Sequence, residues 1–266
     1  MNNQIVIVIG LTFLINLITT LSYSVRIVGI RTGRIAVSFA LFNILVLISR
    51  TANGFQAPLL ASTIEKNINS GLGENTLDFR LIILSCTIAT LAGGFLIPSF
   101  QRILSAAVER FSIYKSVPKV VLHSFTKTGI ASIKEKLVIP SAKNITNLDI
   151  YINFPWKVFI MNVVAVAIIT IGVLSSLYAG YINTEFRTTA SSLSAIINGI
   201  STILMFIFID PFLSVMTDDV VLGKTSESIF RKYIVYMVFA RLIGTIIAQF
   251  LFIPSAKILA LIAGMI

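Results

Sequence analysis

The sequence predicts an all-α, polytopic membrane protein with six transmembrane helices. Of its 266 residues, 56% are hydrophobic and 12% are charged, whereas about 25% charge is usual in soluble domains. Six apolar runs come close to the length of about 20 residues that a helix needs to cross a bilayer. They cover residues 4–25, 35–60, 81–100, 157–180, 189–215 and 233–253, and the last extends weakly through 258–266. The runs lack the period-two alternation of membrane β-barrels, which favours helices.

Short matches between the two halves predict two inverted three-helix repeats. Arg31-Thr32 recurs as Arg187-Thr188, and Ile97-Pro98-Ser99 recurs as Ile253-Pro254-Ser255, both at an offset of 156 residues. A repeat with an odd number of spans enters the membrane in the opposite orientation, an arrangement that builds mid-membrane sites in transporters. Chance similarity between apolar segments is the alternative interpretation. The predicted units are residues 1–100, the first repeat; 101–156, a basic cytoplasmic connection with amphipathic helices; and 157–266, the second repeat.

The distribution of lysine and arginine predicts the orientation. Fifteen of the 21 lie in connections on one side, four lie on the other side, and Arg50 and Arg241 lie within spans. Positively charged connections stay in the cytoplasm, so both termini are predicted outside. The net charge of +10 then reflects topology and attraction to anionic membrane lipids. No base-stacking or groove-reading motif indicates nucleic-acid binding.

The basic connection contains one clear amphipathic pattern. Apolar residues recur at helical spacing over 103–111, which predicts an amphipathic helix at the cytoplasmic surface. For 117–138 two interpretations stay open, a small helical hairpin and a solvated basic linker. Cys86 and His123 are each the sole residue of their type, so we predict no disulfide, metal site or cofactor.

Polar residues within the apolar runs are the candidate functional residues. Asn43, Arg50 and Asn53 fall within one sector of about 80° on the second helix. A central arginine costs about 2.5–3.5 kcal/mol, so Arg50 should face protein or water and find a partner. Arg241 in the sixth run shares a face with small residues and has Gln249 on its flank. Two deep arginines predict one positively charged cavity.

The fifth run carries a polar stripe that ends near an acid. Its serines are typical of close helix packing, and Asn198 lies on the same stripe. For Asp210 the sequence leaves three roles open: a counter-ion of Arg50 or Arg241, a proton-coupling group, or an interfacial residue.

The balance of charge indicates an anionic cargo. Two deep arginines have one acid near them, and guanidinium binds phosphate in a bidentate manner. Arg31 and Arg187, at matching ends of the repeats, would add charge at opposite membrane faces. This layout suits a phosphate-bearing head group that passes through a polar cleft while its tail stays in lipid.

Four segments resemble the Amj family, the alternate lipid II flippases of bacteria. They are residues 26–43 (RIVGIRTGRIAVSFALFN), 49–60 (SRTANGFQAPLL), 241–245 (RLIGT) and 252–257 (FIPSAK). The resemblance implies a plasma-membrane protein of cell-wall biogenesis that substitutes for the MurJ-type flippase. Such a protein moves the undecaprenyl-pyrophosphate-linked peptidoglycan precursor, lipid II, from the cytoplasmic to the outer leaflet and is not an enzyme.

We therefore predict a flippase in which Arg50 and Arg241 bind the pyrophosphate. Sugar or peptide groups would contact Asn43, Asn53, Asn198 and Gln249. The first alternative is an exporter or exchanger of a small anion. The second is a membrane lipid pyrophosphate phosphatase, which would need a nucleophile or general base beside the arginines. Six helices are few for enclosing a large head group, which favours a homodimer.

Overall fold

A computed structural model shows six helices that are long and apolar enough to cross a membrane, as the sequence predicts. It describes residues 3–71, 75–124, 126–138 and 154–266, and these contain no strand. The helices, which we call the first to sixth spans, are Asn3–Thr32, Ile35–Asn69, Thr76–Tyr114, Trp156–Ile182, Arg187–Val221 and Glu227–Met265.

Two of the spans are built from shorter pieces. In the first span one turn of 3₁₀ helix, Ser22–Ser24, joins the α-helices Asn3–Leu21 and Val25–Thr32. The fifth span consists of Arg187–Ser192, Ser194–Leu204, the π-helical turn Met205–Ile209, and Asp210–Val221. Irregular turns of this kind allow a helix to change direction.

Local sequence determines several helix ends. Gly33 ends the first span with a φ of 64°, a left-handed conformation that glycine adopts without a steric penalty. The third span begins after Asn75, whose side chain accepts a hydrogen bond from the Asp78 amide. Ser226 caps the sixth span in the same way, through the Ile229 amide.

Prolines do not end the long helices. Pro58, Pro98 and Pro254 lie inside the second, third and sixth spans. A proline removes one backbone hydrogen bond, which membrane helices tolerate. The third span therefore continues past Pro98 to Tyr114, and residues 103–111 are part of it, not a separate surface helix. The predicted boundary at residue 100 lies within this helix.

The amphipathic pattern of 103–111 has a packing role. Leu104 and Val108 are buried in a cluster with Val28 of the first span and Phe42 of the second. Burial of these side chains explains the apolar face without contact to lipid head groups.

Four spans form the centre of the bundle. The first packs on the third, the fourth on the sixth, and the third on the sixth. The second span lies against the first, and the fifth lies against the fourth. The second and fifth spans are the least buried of the six. A Cβ atom added at Gly93 would lie 2.7 Å from Cβ of Thr20, and one at Gly244 would lie 2.7 Å from the Val163 carbonyl oxygen. These glycines bring the central helices into close contact.

Both termini lie at the same end of the bundle. Near the amino terminus, the Thr63 hydroxyl donates to Gln4 Oε1 at 3.2 Å. At this end the second and fourth spans meet, since Asn67 Nδ2 donates to the Tyr181 hydroxyl at 2.9 Å. The carboxy-terminal Ala263 is buried in a cluster with residues from the end of the fourth span and the start of the fifth. An even number of spans requires this arrangement.

The connection after the third span contains two short helices, Val117–Ser124 and Lys127–Glu135. They correspond to the hairpin interpretation of 117–138. The Ser99 hydroxyl exchanges hydrogen bonds with the backbone of Val138, which joins the end of this segment to the third span. The remainder of the predicted connection up to residue 153 lies outside the described residues.

Candidate functional site

Arg241 is buried near the middle of the sixth span. Arg241 is only 3% exposed. It lies about 21 Å along the axis from the start of the 39-residue helix. Nη2 donates a hydrogen bond to Asn16 Oδ1 at 2.8 Å. Nε is buried without a hydrogen-bond partner among the described residues. The guanidinium therefore has unused hydrogen-bonding capacity inside the bundle.

Asn16 of the first span is itself held on two sides. Its Nδ2 donates to the Thr12 carbonyl oxygen at 3.0 Å and lies 3.2 Å from Cys86 Sγ of the third span. A carbonyl oxygen only accepts hydrogen bonds, so the amide nitrogen must face Thr12. The amide oxygen is thereby directed towards Arg241.

The second span joins this cluster through Gln56. Gln56 Nε2 donates to Thr12 Oγ1 at 2.8 Å, and Thr12 Oγ1 donates to the Val8 carbonyl oxygen at 2.7 Å. Hydrogen bonds therefore connect the second and third spans, through Thr12 and Asn16 of the first, to Arg241 of the sixth. We call this set the Arg241 cluster; its members are Thr12, Asn16, Gln56, Cys86 and Arg241.

The Arg241 cluster contains no acid. Four ion pairs between described residues join Arg26 to Asp210, Arg31 to Glu227, Lys224 to Asp219 and Arg231 to Glu227. None of them includes Arg241. A buried cation in a low-dielectric region is unfavourable unless a negative charge or a full set of acceptors surrounds it. The geometry is therefore suited to receiving an anion.

The predicted residues of the second span lie on its exposed side. Asn43, Arg50 and Asn53 are all exposed, and Arg50 makes no hydrogen bond or ion pair with any residue in the described part of the chain. It lies near the middle of the 35-residue helix. The predicted common face is present, but no hydrogen bond between described side chains joins it to the Arg241 cluster.

Two other predicted residues, Asn198 and Gln249, lie at helix contacts away from the Arg241 cluster. Asn198 packs against the fourth span, where a Cβ added at Gly172 would lie 2.5 Å from its Oδ1. Gln249 Nε2 donates to the Arg80 carbonyl oxygen at 2.9 Å. The structure therefore does not bring Asn198 and Gln249 to Arg50 or Arg241 through any hydrogen bond between described side chains.

Arg31 lies at the end of the bundle opposite the termini. Its Nη2 and Nε contact Glu227 Oε1 at 2.7 and 2.9 Å, and its Nη1 donates to Gln101 Oε1 at 3.1 Å. Arg187 is exposed at the start of the fifth span. A Cβ added at Gly180 would lie 3.2 Å from Arg187 Cβ, so the two spans approach closely there.

The partner of Asp210 differs from the two that the sequence suggested. Arg26 Nη2 lies 3.9 Å from Asp210 Oδ1, and Arg26 Nη1 donates to the Ser214 hydroxyl at 3.1 Å. The suggestion of Arg50 or Arg241 as its counter-ion is thus corrected to Arg26. Arg26 belongs to the first span, which continues to Thr32 beyond the predicted end at residue 25.

Sequence reasoning missed most of the Arg241 cluster. Asn16 is an amide side chain in the middle of an apolar run, the kind of residue that needs a partner inside a membrane. That signal could have identified it. Gln56 lies on the second helix close to the Arg50 face, and Thr12 and Cys86 carry no distinct signal. No group of three or more His, Cys, Asp or Glu in the described part of the chain could hold a metal ion.

Comparison with known proteins agrees with the resemblance noted in the sequence. The model of the Amj family, described as "Alternate to MurJ", matches residues 11–263. The chain belongs to the Amj family. The Amj match includes part or all of each of the six spans and every member of the Arg241 cluster.

One relative in the Amj family extends over nearly the same length. The protein named "Lipid II flippase Amj" from Bacillus subtilis (strain 168) is 38% identical over 261 residues, which are 97% of this chain and 96% of the relative. No solved structure matches the chain.

Proposed function

We propose that this chain is a lipid II flippase of the plasma membrane. It would carry the undecaprenyl-pyrophosphate-linked peptidoglycan precursor from the cytoplasmic to the outer leaflet. The structural observation that supports this is Arg241, a buried arginine of the sixth span whose Nε has no hydrogen-bond partner and which is bonded to no acid among the described residues. The full-length Amj relative with that name supports the same function.

A pyrophosphate is the chemical group that Arg241 suits best. Guanidinium donates two parallel hydrogen bonds to phosphate oxygens, and such charge-assisted bonds are about twice as strong as neutral ones. In the present arrangement Nη2 is bonded to Asn16 and Nε is free. The pyrophosphate would accept from Nε and share Nη2 with Asn16, since Nη2 has two donor hydrogens.

The exposed face of the second span supports a lipid-linked cargo. An arginine at the centre of a span is unfavourable in hydrocarbon unless water, protein or a counter-ion reaches it. Arg50 lies on that face with Asn43 and Asn53. A head group that moves along this polar stripe while its tail stays in lipid would provide the counter-ion. A small water-soluble anion has no need of a membrane-exposed stripe, so the exporter is the less favoured candidate.

The packing is compatible with two inverted repeats. The first and third spans pair as the fourth and sixth do, and the second and fifth spans occupy equivalent outer positions. We propose that residues 1–100 and 157–266 are the two units and that both termini face outside. The basic connection would then face the anionic lipids of the cytoplasmic leaflet. A homodimer would extend the surface available to the head group.

The two halves are joined at the proposed cytoplasmic end. The ion pairs of Arg31 with Glu227 and of Arg26 with Asp210 each link the first span to the second half of the chain. We propose that these contacts close the cytoplasmic side and open when lipid II enters. Alternating access of this kind is a movement of one repeat against the other.

The deciding experiment measures lipid II in the outer leaflet of cells depleted of all other flippases. Expression of this protein alone should restore externally accessible lipid II, and Arg241→Ala should not. Well-inserted wild-type protein that restores none would overturn the proposal. Uptake of labelled inorganic pyrophosphate into proteoliposomes, without lipid II movement, would favour the small-anion transporter instead.

A further inference from the structure

We infer that Asn16 is a positioning residue that orients Arg241 without neutralising it, so that the anionic group of the cargo can supply the missing charge. The inference rests on the proposed function and adds a residue on the first span to the binding machinery. It explains why a deep arginine is anchored by an amide where a carboxylate would be the common choice.

The orientation of Asn16 supports this role. Two contacts, with the Thr12 carbonyl oxygen at 3.0 Å and with Cys86 Sγ at 3.2 Å, hold the amide nitrogen. The amide oxygen then meets Arg241 Nη2 at 2.8 Å. The anchor is therefore rigid, and it uses one of the guanidinium nitrogens while Nε is left unpartnered.

The neutrality of Asn16 is the second part of the argument. Ionised residues inside membrane spans usually pair with an opposite charge. A carboxylate at this position would have almost the same shape and would also accept from Arg241, but it would lose the donation to the Thr12 carbonyl oxygen and would cancel the positive charge. A pyrophosphate would then have to displace an internal counter-ion. An amide gives the hydrogen bond and leaves the charge available.

Two substitutions separate this role from a merely structural one. Asn16→Asp keeps an acceptor for Arg241 and adds a negative charge, whereas Asn16→Ala removes the anchor and leaves the charge. A structural role predicts that alanine is the more harmful change, because it leaves the buried guanidinium without its partner. If Asn16 instead keeps the charge of Arg241 available, Asn16→Asp should weaken ligand binding more than Asn16→Ala does.

The binding experiment uses the full-length protein in lipid nanodiscs and undecaprenyl pyrophosphate as the probe, with undecaprenol as the uncharged reference. We expect Asn16→Asp to weaken binding of the pyrophosphate by about 10- to 100-fold, the range that one charge-assisted hydrogen bond represents. Asn16→Ala should weaken it less. Asn67→Asp is the matched control, since Asn67 is also half-buried but donates to Tyr181 at the far end of the bundle; binding should be unchanged.

Thermal unfolding of the same proteins gives the readout of folding. Asn16→Asp should unfold at a temperature equal to or above that of Asn16→Ala, although it binds more weakly. If Asn16→Asp binds the probe as well as wild type, or better than Asn16→Ala, the inference is wrong while the proposed function stands. If wild-type protein does not distinguish undecaprenyl pyrophosphate from undecaprenol, the proposed function fails first.

Discussion

Arg31 and Glu227 join the first and sixth spans at the end of the bundle opposite the termini, with Nη2 of the arginine 2.7 Å from Oε1 of the carboxylate. The two residues are 196 positions apart in the sequence. About a third of each side chain is exposed, so the pair contributes on the order of 1 kcal/mol or less to stability. Its importance is the link between the two halves.

Charge reversal tests this link. Arg31→Glu and Glu227→Arg should each lower both the thermal stability and the amount of lipid II in the outer leaflet, because each places two like charges together. The double variant should recover part of both. Asp219→Asn is the control, since Asp219 pairs with Lys224 in a nearby exposed loop. A double variant no better than the single ones would mean that the ion pair is unimportant.

Replacement of Arg241 by methionine should separate stability from activity. The substitution removes a buried charge that no acid neutralises, which is favourable, but it leaves Asn16 Oδ1 without its partner at a cost of about 1–3 kcal/mol. These effects oppose each other, so the melting temperature of Arg241→Met should stay close to that of wild type. Outer-leaflet lipid II should be lost. Arg102→Met, which changes an exposed arginine of the third span that makes no hydrogen bond or ion pair with described residues, should leave both quantities unchanged. Retained activity in Arg241→Met would contradict the role of this guanidinium.

The close contact of the fourth and sixth spans should be sensitive to one methyl group. Gly244→Ala would place Cβ 2.7 Å from the Val163 carbonyl oxygen and 2.9 Å from Val166 Cβ. We expect a loss of about 1–3 kcal/mol, measured by thermal unfolding in detergent. Gly10→Ala meets nothing within 4 Å and should be neutral. Equal stability of the two variants would show that the spans move apart at no cost.

Arg50→Ala should abolish or strongly reduce flipping without a loss of stability. Arg50 is exposed and makes no hydrogen bond or ion pair with described residues, so its removal breaks no contact within the fold. The measurement compares outer-leaflet lipid II with the melting temperature of purified protein. Thr51→Ala, at the adjacent exposed position, is the control and should behave as wild type. Normal lipid II in the Arg50→Ala strain would remove Arg50 from the proposed path.

Local apolar character predicts much of the fold. The six spans follow from residue type and run length, but a place inside a run does not decide burial, since Arg241 is buried and Arg50 is exposed. Helix ends are less predictable, because Pro98 suggests an end and tertiary packing of Leu104 and Val108 extends the helix to Tyr114. Packing overrides the local signal.

The partners of polar residues could not be predicted in the same way. Asn16 and Arg241 are 225 positions apart, and which helices meet is decided by close contacts such as that of Gly93 with Thr20. Likewise, Asp210 meets Arg26 because the first span continues after its 3₁₀ turn. Charge counting treats Arg26 as part of a connection and therefore does not consider it as a partner.

The lack of a bonded acid at Arg241, within the described part of the chain, has an electrical consequence. If Arg241 stays near mid-membrane while the cargo crosses, the charge that moves is that of the pyrophosphate alone. A cell interior held at a negative potential drives each such charge outward by about 2.3 kcal/mol per 100 mV. Transport by this protein would then be driven by voltage in the direction that cell-wall synthesis needs, and dissipation of the membrane potential would slow it.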